Sequence, residues 1–166
     1  MAGVLAPDHG KVELGHQVLI SYFPQNHSEI VEKIGSKTSF DWLKERKPGI
    51  YDQDIRSVMG KMLFGGDDAF KQVATLSGGE TARLIIAGMM LSEHNFLVLD
   101  EPNNHLDLEA VSALAWGWAE YKGSVVVASH ERDVISTVAN KIIAFEADGI
   151  HFFDGTLDEY FVRKQK

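Results

Sequence analysis

Asp100 and Glu101 stand side by side where the apolar run Phe96-Leu97-Val98-Leu99 ends. Two carboxylates at the tip of a buried strand are costly unless solvent, a cation or a hydrogen-bond donor compensates their charge. The chemistry open to such a pair is specific. Asp100 can hold a magnesium ion, directly or through water, while Glu101 polarises an attacking water as general base. The competing account is structural, a polar strand-to-helix turn closed by Pro102. His130, within Ser129-His130-Glu131-Arg132-Asp133, can donate to a terminal phosphate while a carboxylate orients its other ring nitrogen; taken alone it also reads as a surface or capping histidine. Gln25, just after Phe23-Pro24, offers an amide oxygen to the metal or its water, or is a plain loop residue.

Ser77-Gly78-Gly79-Glu80 has two compatible functions. Ser-x-x-Glu is a capping box, in which the serine hydroxyl and the glutamate carboxylate satisfy each other's free backbone N–H groups at a helix start. That accounts for Ser77 and Glu80 but not for Gly78-Gly79, since glycine in a first helical turn costs about 0.5 to 1 kcal/mol relative to alanine. Bare amides at a helix N-terminus form an anion site, so the glycines suit a phosphate that approaches the backbone closely.

These side chains need a scaffold. Lys11–Leu14 and Val18–Phe23 alternate like short strands around the turn Gly15-His16-Gln17, which predicts an N-terminal β-hairpin. Apolar residues from Phe40 to Leu63 recur at helical intervals and break at Pro48-Gly49, a small helical insert. A helix over about 78–92 is apolar around most of its circumference. Strand 95–99, helix 106–121, strand 124–128, helix 131–138 and strands 141–145 and 150–153 follow. Strands separated by helices predict a parallel sheet whose C-terminal strand ends carry the reactive residues, and Asp100, Glu101 and His130 all fall there. Trp42, Trp116 and Trp118 lie on helices, where packing is the expected role.

The 166 residues, 45% hydrophobic and 24% charged, suit one globular unit with a real core. No apolar run is long enough to span a bilayer and no secretory leader is evident, which predicts a cytoplasmic protein. Without cysteine there are no disulfides or thiolate metal sites. A net charge of -8 argues against a broad nucleic-acid-binding face; the basic end Arg163-Lys164-Gln165-Lys166 reads as a solvated tail.

In order along the chain, Leu76–Glu80, Phe96–Pro102 and Ser129-His130 resemble the signature motif, Walker B strand and switch histidine of the ABC ATPase superfamily. Tyr22-Phe23-Pro24-Gln25 is similar to the Q-loop and Asn104-His105-Leu106-Asp107 to the D-loop. The Asn-His-Leu-Asp sequence and the ending Phe153–Phe161 resemble the ABC-F branch, whose members pair two such domains on one chain and act on ribosomes. The resemblance implies an α/β fold of the P-loop NTPase kind, with a mostly parallel sheet, the N-terminal hairpin and a small helical subdomain. It divides the chain into hairpin and Q-loop (1–25), helical subdomain with signature helix (26–93) and Walker B to C-terminus (94–166). It implies ATP and Mg2+ as cofactors, with Asp100 and Gln25 on the metal, Glu101, His130 and Gln25 in catalysis, and Ser77, Gly78, Gly79 and Glu80 facing nucleotide held by a second nucleotide-binding domain.

Three departures stand out. The usual Thr after Asp-Glu-Pro is Asn103, and the usual Asp after Ser-His is Glu131. No G-x-x-x-x-G-K-[ST] phosphate loop is present: the Gly-Lys pairs Gly10-Lys11 and Gly60-Lys61 are followed by Val12 and Met62. Met1–Gly10 resembles the tail of the helix that follows that loop, so a partial domain is expected, the second of its parent, with weak stability and no turnover alone. The nucleotide-binding subunit of a transporter is an alternative, counted against by Asn104–Asp107; a non-enzymatic module donating only its signature surface is another.

Overall fold

The computed structural model describes residues 6–104, 106, 108–119 and 121–164. Three strands, β1 (Ile20–Phe23), β2 (Phe96–Asp100) and β3 (Ser124–Ala128), form a parallel sheet in the order β1-β2-β3. Its register sets Phe23 opposite Leu99, and Asp100 opposite Ala128. Being parallel, the strands deliver their C-terminal ends to one side, which is the physical basis for a site there. In β2, Leu97 and Leu99 are buried, as expected of an apolar strand flanked by neighbours.

The connection from β1 to β2 holds the helices α1 (Ser28–Ile34), α2 (Ser39–Arg46), α3 (Asp52–Lys61) and α4 (Gly78–Leu91), with two short 3-10 turns before α4. Helix α4 serves two cores. Leu84, Ala87 and Leu91 pack with Trp42, Leu43, Ile55 and Met59 of α2 and α3. Ala82, Ile85 and Ile86 pack with Phe23, Leu97 and Leu99 of the sheet and with Leu114 and Trp118 of α5 (Leu108–Ala119). Its nearly all-round apolar sequence is thereby explained. Full burial of side chains such as Leu43 and Ile55 is worth about 2 to 3 kcal/mol each. Gly88 lets α4 approach α2: a Cβ there would stand 3.0 Å from two ring atoms of Trp42.

After β3 come α6 (Arg132–Val138), β4 (Lys141–Glu146), β5 (Gly149–Asp154) and α7 (Leu157–Lys164). Strands β4 and β5 pair antiparallel as a separate two-stranded sheet. Their cross-strand pairs Ile143–Phe152 and Phe145–Ile150 make an apolar face on which Phe145 and Phe152 are 80% and 77% exposed. On the other face Phe153 meets Tyr160 of α7 edge-on, with ring centroids 5.7 Å apart.

The expected N-terminal hairpin is absent. Residues 6–19 form neither helix nor strand. The turn exists, with Gln17 at φ 59 and Val18 N–H donating to Gly15 O, but Val12 and Leu14 remain exposed and β1 pairs instead with β2. A strand half-buried by alternation needs a surface to lie on, and Lys11–Leu14 has none. Of the expected helix tail, residues 1–5 lie outside the described residues. Among the described residues β3 pairs only with β2, leaving its second edge open, and no helix is long and apolar enough to cross a membrane.

Candidate active site

Tyr22, Asp100 and His130 reach the same end of the parallel sheet from its three strands. The Tyr22 hydroxyl donates to Asp100 Oδ2 over 3.2 Å. Burial first, then this hydrogen bond and the Asp100 charge, holds the phenol above its ordinary pKa. The sheet continues one residue beyond β2, because the Glu101 N–H donates to Ala128 O over 2.8 Å. Glu101 then adopts φ 46, the left-handed region that costs a non-glycine residue about 1 kcal/mol or more. This reversal sends the chain into the turn Pro102-Asn103-Asn104, closed by Asn104 N–H to Glu101 O at 3.2 Å.

Glu101 Oε2 lies 2.8 Å from His130 Nδ1, with side-chain exposures of 21% and 71%. Among the described residues no lysine or arginine pairs with Asp100 or Glu101. Their charge is met by a phenol and an imidazole, which leaves oxygen lone pairs available. Two hard carboxylates with spare acceptor capacity are the donor set a magnesium ion takes. The residues present therefore fit the cation the sequence calls for.

The other expected residues divide. Gln25 is exposed in the bend beyond β1, at the same sheet end, and among the described residues no hydrogen bond joins it to Asp100 or Glu101. Ser77 and Glu80 form the capping box of α4, with Ser77 N–H to Glu80 Oε2 at 2.8 Å and Glu80 N–H to Ser77 Oγ at 3.3 Å. Lys71 bridges Glu80 Oε1, 3.2 Å away, and Asp68 at 2.8 Å. The Ser77 backbone N–H, aided by its hydroxyl and by Lys71, keeps the Glu80 carboxyl below the usual range. Gly78 is exposed beside Ser77. This group shares no hydrogen bond with Glu101 or His130. Asn104 and Leu106 lie in the turn before α5; His105 and Asp107 lie outside the described residues.

Three contributors have no role assigned from sequence. Tyr22 is one, and its signal is only its place one residue from the β1 end. The others are Asn103, 5% exposed, and Glu131. Asn103 Nδ2 donates to Glu131 Oε1 over 2.9 Å, the Ser129 hydroxyl donates to Asn103 Oδ1 over 3.0 Å, and Glu131 N–H donates to Ser129 Oγ over 3.1 Å. The two residues that depart from the common motifs thus touch each other.

A family model described as ABC transporter matches residues 1–104. The ABC transporter ATP-binding protein YkpA of Bacillus subtilis (strain 168), described as uncharacterized, is 38% identical over 164 residues, 96% of this chain and 30% of that protein. ABC transporter F family member 5 of Arabidopsis thaliana is 36% identical over 159 residues, 95% of this chain and 22% of its own length. The chain thus spans less than a third of the curated relatives it matches. Among solved structures, the archaeal ribosome recycling factor aABCE1, in complex with ribosomal stalk protein aP1, superposes with a TM-score of 0.76 at 22% identity, covering 99% of this chain and 32% of that one; this likeness is one of fold.

Proposed function

Because the chain belongs to the ABC transporter family of ATPase domains, we propose that it carries the hydrolytic strand tips and the signature face of an ABC-F-type ATPase. The observation that carries this is the 2.8 Å contact between Glu101 Oε2 and His130 Nδ1 beside Asp100. Bound ATP and Mg2+ would supply the phosphoryl group and the charge that draws it. Asp100 would hold the cation through a carboxylate oxygen, with the Tyr22 hydroxyl on Oδ2 fixing the direction of that carboxylate. Gln25, from the stretch that resembles the Q-loop, would complete the metal's surroundings. Glu101 accepts the proton of the attacking water. His130 anchors Glu101 through Nδ1, which leaves Nε2 to face the terminal phosphate.

Ser77 and the amides at the start of α4 face nucleotide held by a second nucleotide-binding domain, a use that suits a helix N-terminus. Asn104 and Leu106, in the stretch that resembles the D-loop, would lie at the junction between the two domains. In this reading the parent couples hydrolysis to a conformational cycle on the ribosome in the cytoplasm, the role that the ABC-F resemblance implies.

In the complete ATPase, Glu101→Gln is expected to lower kcat by about 10²- to 10⁴-fold while nucleotide binding persists, and Asp100→Asn to raise the magnesium concentration needed for half-maximal rate. Unchanged single-turnover hydrolysis by Glu101→Gln would rule out the general-base role. Ribosome sedimentation with nucleotide tests the cellular role separately; failure to co-sediment in the Glu101→Gln form sinks it.

A further inference from the structure

The Glu101–His130 contact joins two turns that leave different strands. His130 is mostly exposed, and an exposed side chain held by one hydrogen bond is ordinarily free to change rotamer. Glu101 is held in a left-handed conformation, which persists only where surrounding structure imposes it. Something must therefore fix both backbones. Beneath the pair lies the closed ring of Asn103, Ser129 and Glu131, in which each residue both gives and accepts a hydrogen bond or shares one through its backbone. Asn103 belongs to the Glu101 turn; Ser129 and Glu131 flank His130. Asn103 is 5% exposed, with Ser129 and Glu131 half-buried, and at the buried amide an unmade hydrogen bond is expensive.

We propose that Asn103 and Glu131, with Ser129, are positioning residues that clasp the two turns together and so hold His130 Nδ1 against Glu101. Only the catalytic consequence of this clasp rests on the proposed ATPase function. The contribution of Glu131 is its acceptor oxygen toward Asn103 Nδ2, not its charge. In the clasped arrangement Glu101 Oε2 accepts from His130, so a neutral ring carries its proton on Nδ1. A histidine released from the clasp returns to the Nε2–H form that free imidazoles favour in water. The identity of the residue at 103 is therefore matched to that at 131, and neither can be changed alone without loosening the pair above.

The test is the tautomer of His130, read from its ring nitrogen shifts by NMR on the full 166-residue chain, without nucleotide and at a pH well above the ordinary histidine range. Asn103→Ala and Glu131→Ala are each expected to lower the ratio of Nδ1–H to Nε2–H by about tenfold, the equivalent of one ordered hydrogen bond. Glu131→Gln, which keeps the acceptor, retains the parent ratio. A ratio unmoved in folded Glu131→Ala, or a Glu131→Gln that behaves like the alanine variant, overturns the clasp. Should the alanine variants not fold, hydrogen exchange in the unsubstituted chain decides: the amides of Asn104 and Glu131 are expected to open in one event, and independent opening overturns the proposal. Because no hydrolysis is measured, a failed general-base role leaves this result standing, and the reverse holds too.

Discussion

His130 Nδ1 meets Glu101 Oε2 at 2.8 Å across two neighbouring strand ends, at the point where Glu101 turns back with φ 46. Both the proposed chemistry and the local strain reside in this one residue.

The strain is measurable. Glycine tolerates positive φ where alanine does not, so Glu101→Gly is expected to be more stable than Glu101→Ala by about 1 kcal/mol in urea unfolding. Equal stabilities, or a less stable glycine variant, would show that the left-handed turn is not imposed by the fold.

Tyr22 supplies an alkaline signature. Its folded-state pKa is raised from the usual 10.0, so above about pH 10 the unfolded chain ionises first and stability falls as pH rises. In Tyr22→Phe this decline is missing. The stability difference between parent and variant should stay constant up to about pH 9 and shrink beyond it; curves that run parallel to higher pH contradict the assignment.

Glu80 behaves oppositely. Its carboxyl is held below the usual value of 4.5, first by the Ser77 N–H, so its contribution is present above that value and is lost as pH falls through the folded-state pKa. Thermal melts of Glu80→Gln should show a deficit at neutral pH that narrows as pH drops below about 4.5. Ser77→Ala, which removes the cap itself, should cost about 1 kcal/mol.

Two glycines give a paired test of helix packing. Gly60 has nothing within 4 Å of an added Cβ, whereas at Gly88 the Trp42 ring lies 3.0 Å away. Gly60→Ala should therefore stabilise by about 0.5 kcal/mol through helix propensity. Gly88→Ala should destabilise by about 1 kcal/mol, overpacking outweighing the same gain. Denaturant midpoints that shift in one direction for both would refute the close approach of α4 to α2.

Sequence made the central elements legible where a continuous apolar run met a clear stop. Ser124–Ala128 is found at the expected boundaries, and α4 and β2 within one residue of theirs. The N-terminal hairpin failed because alternation in Lys11–Leu14 cannot say whether a surface exists to receive it, and β1 finds its partner far along the chain. The isolated β4–β5 hairpin was legible in principle: Asp148-Gly149 between two apolar runs is a hairpin turn signal. Asp100, Glu101 and His130 could be gathered at one sheet end because parallel topology puts strand tips together. The ring of Asn103, Ser129 and Glu131 could not, since no sequence periodicity links residues on separate turns.

The bond between Tyr22 and Asp100 spans 78 positions in sequence, and most of the intervening chain is helical. Closing such a span costs entropy that local helical contacts do not, and contacts of long sequence separation slow folding. The helices between β1 and β2 can therefore gather around Trp42, Leu43 and Met59 while the sheet is still open. On that order of events the acidic strand tip is among the last features to be assembled, and a folding chain brings Tyr22 to Asp100 only after the rest of its architecture is in place.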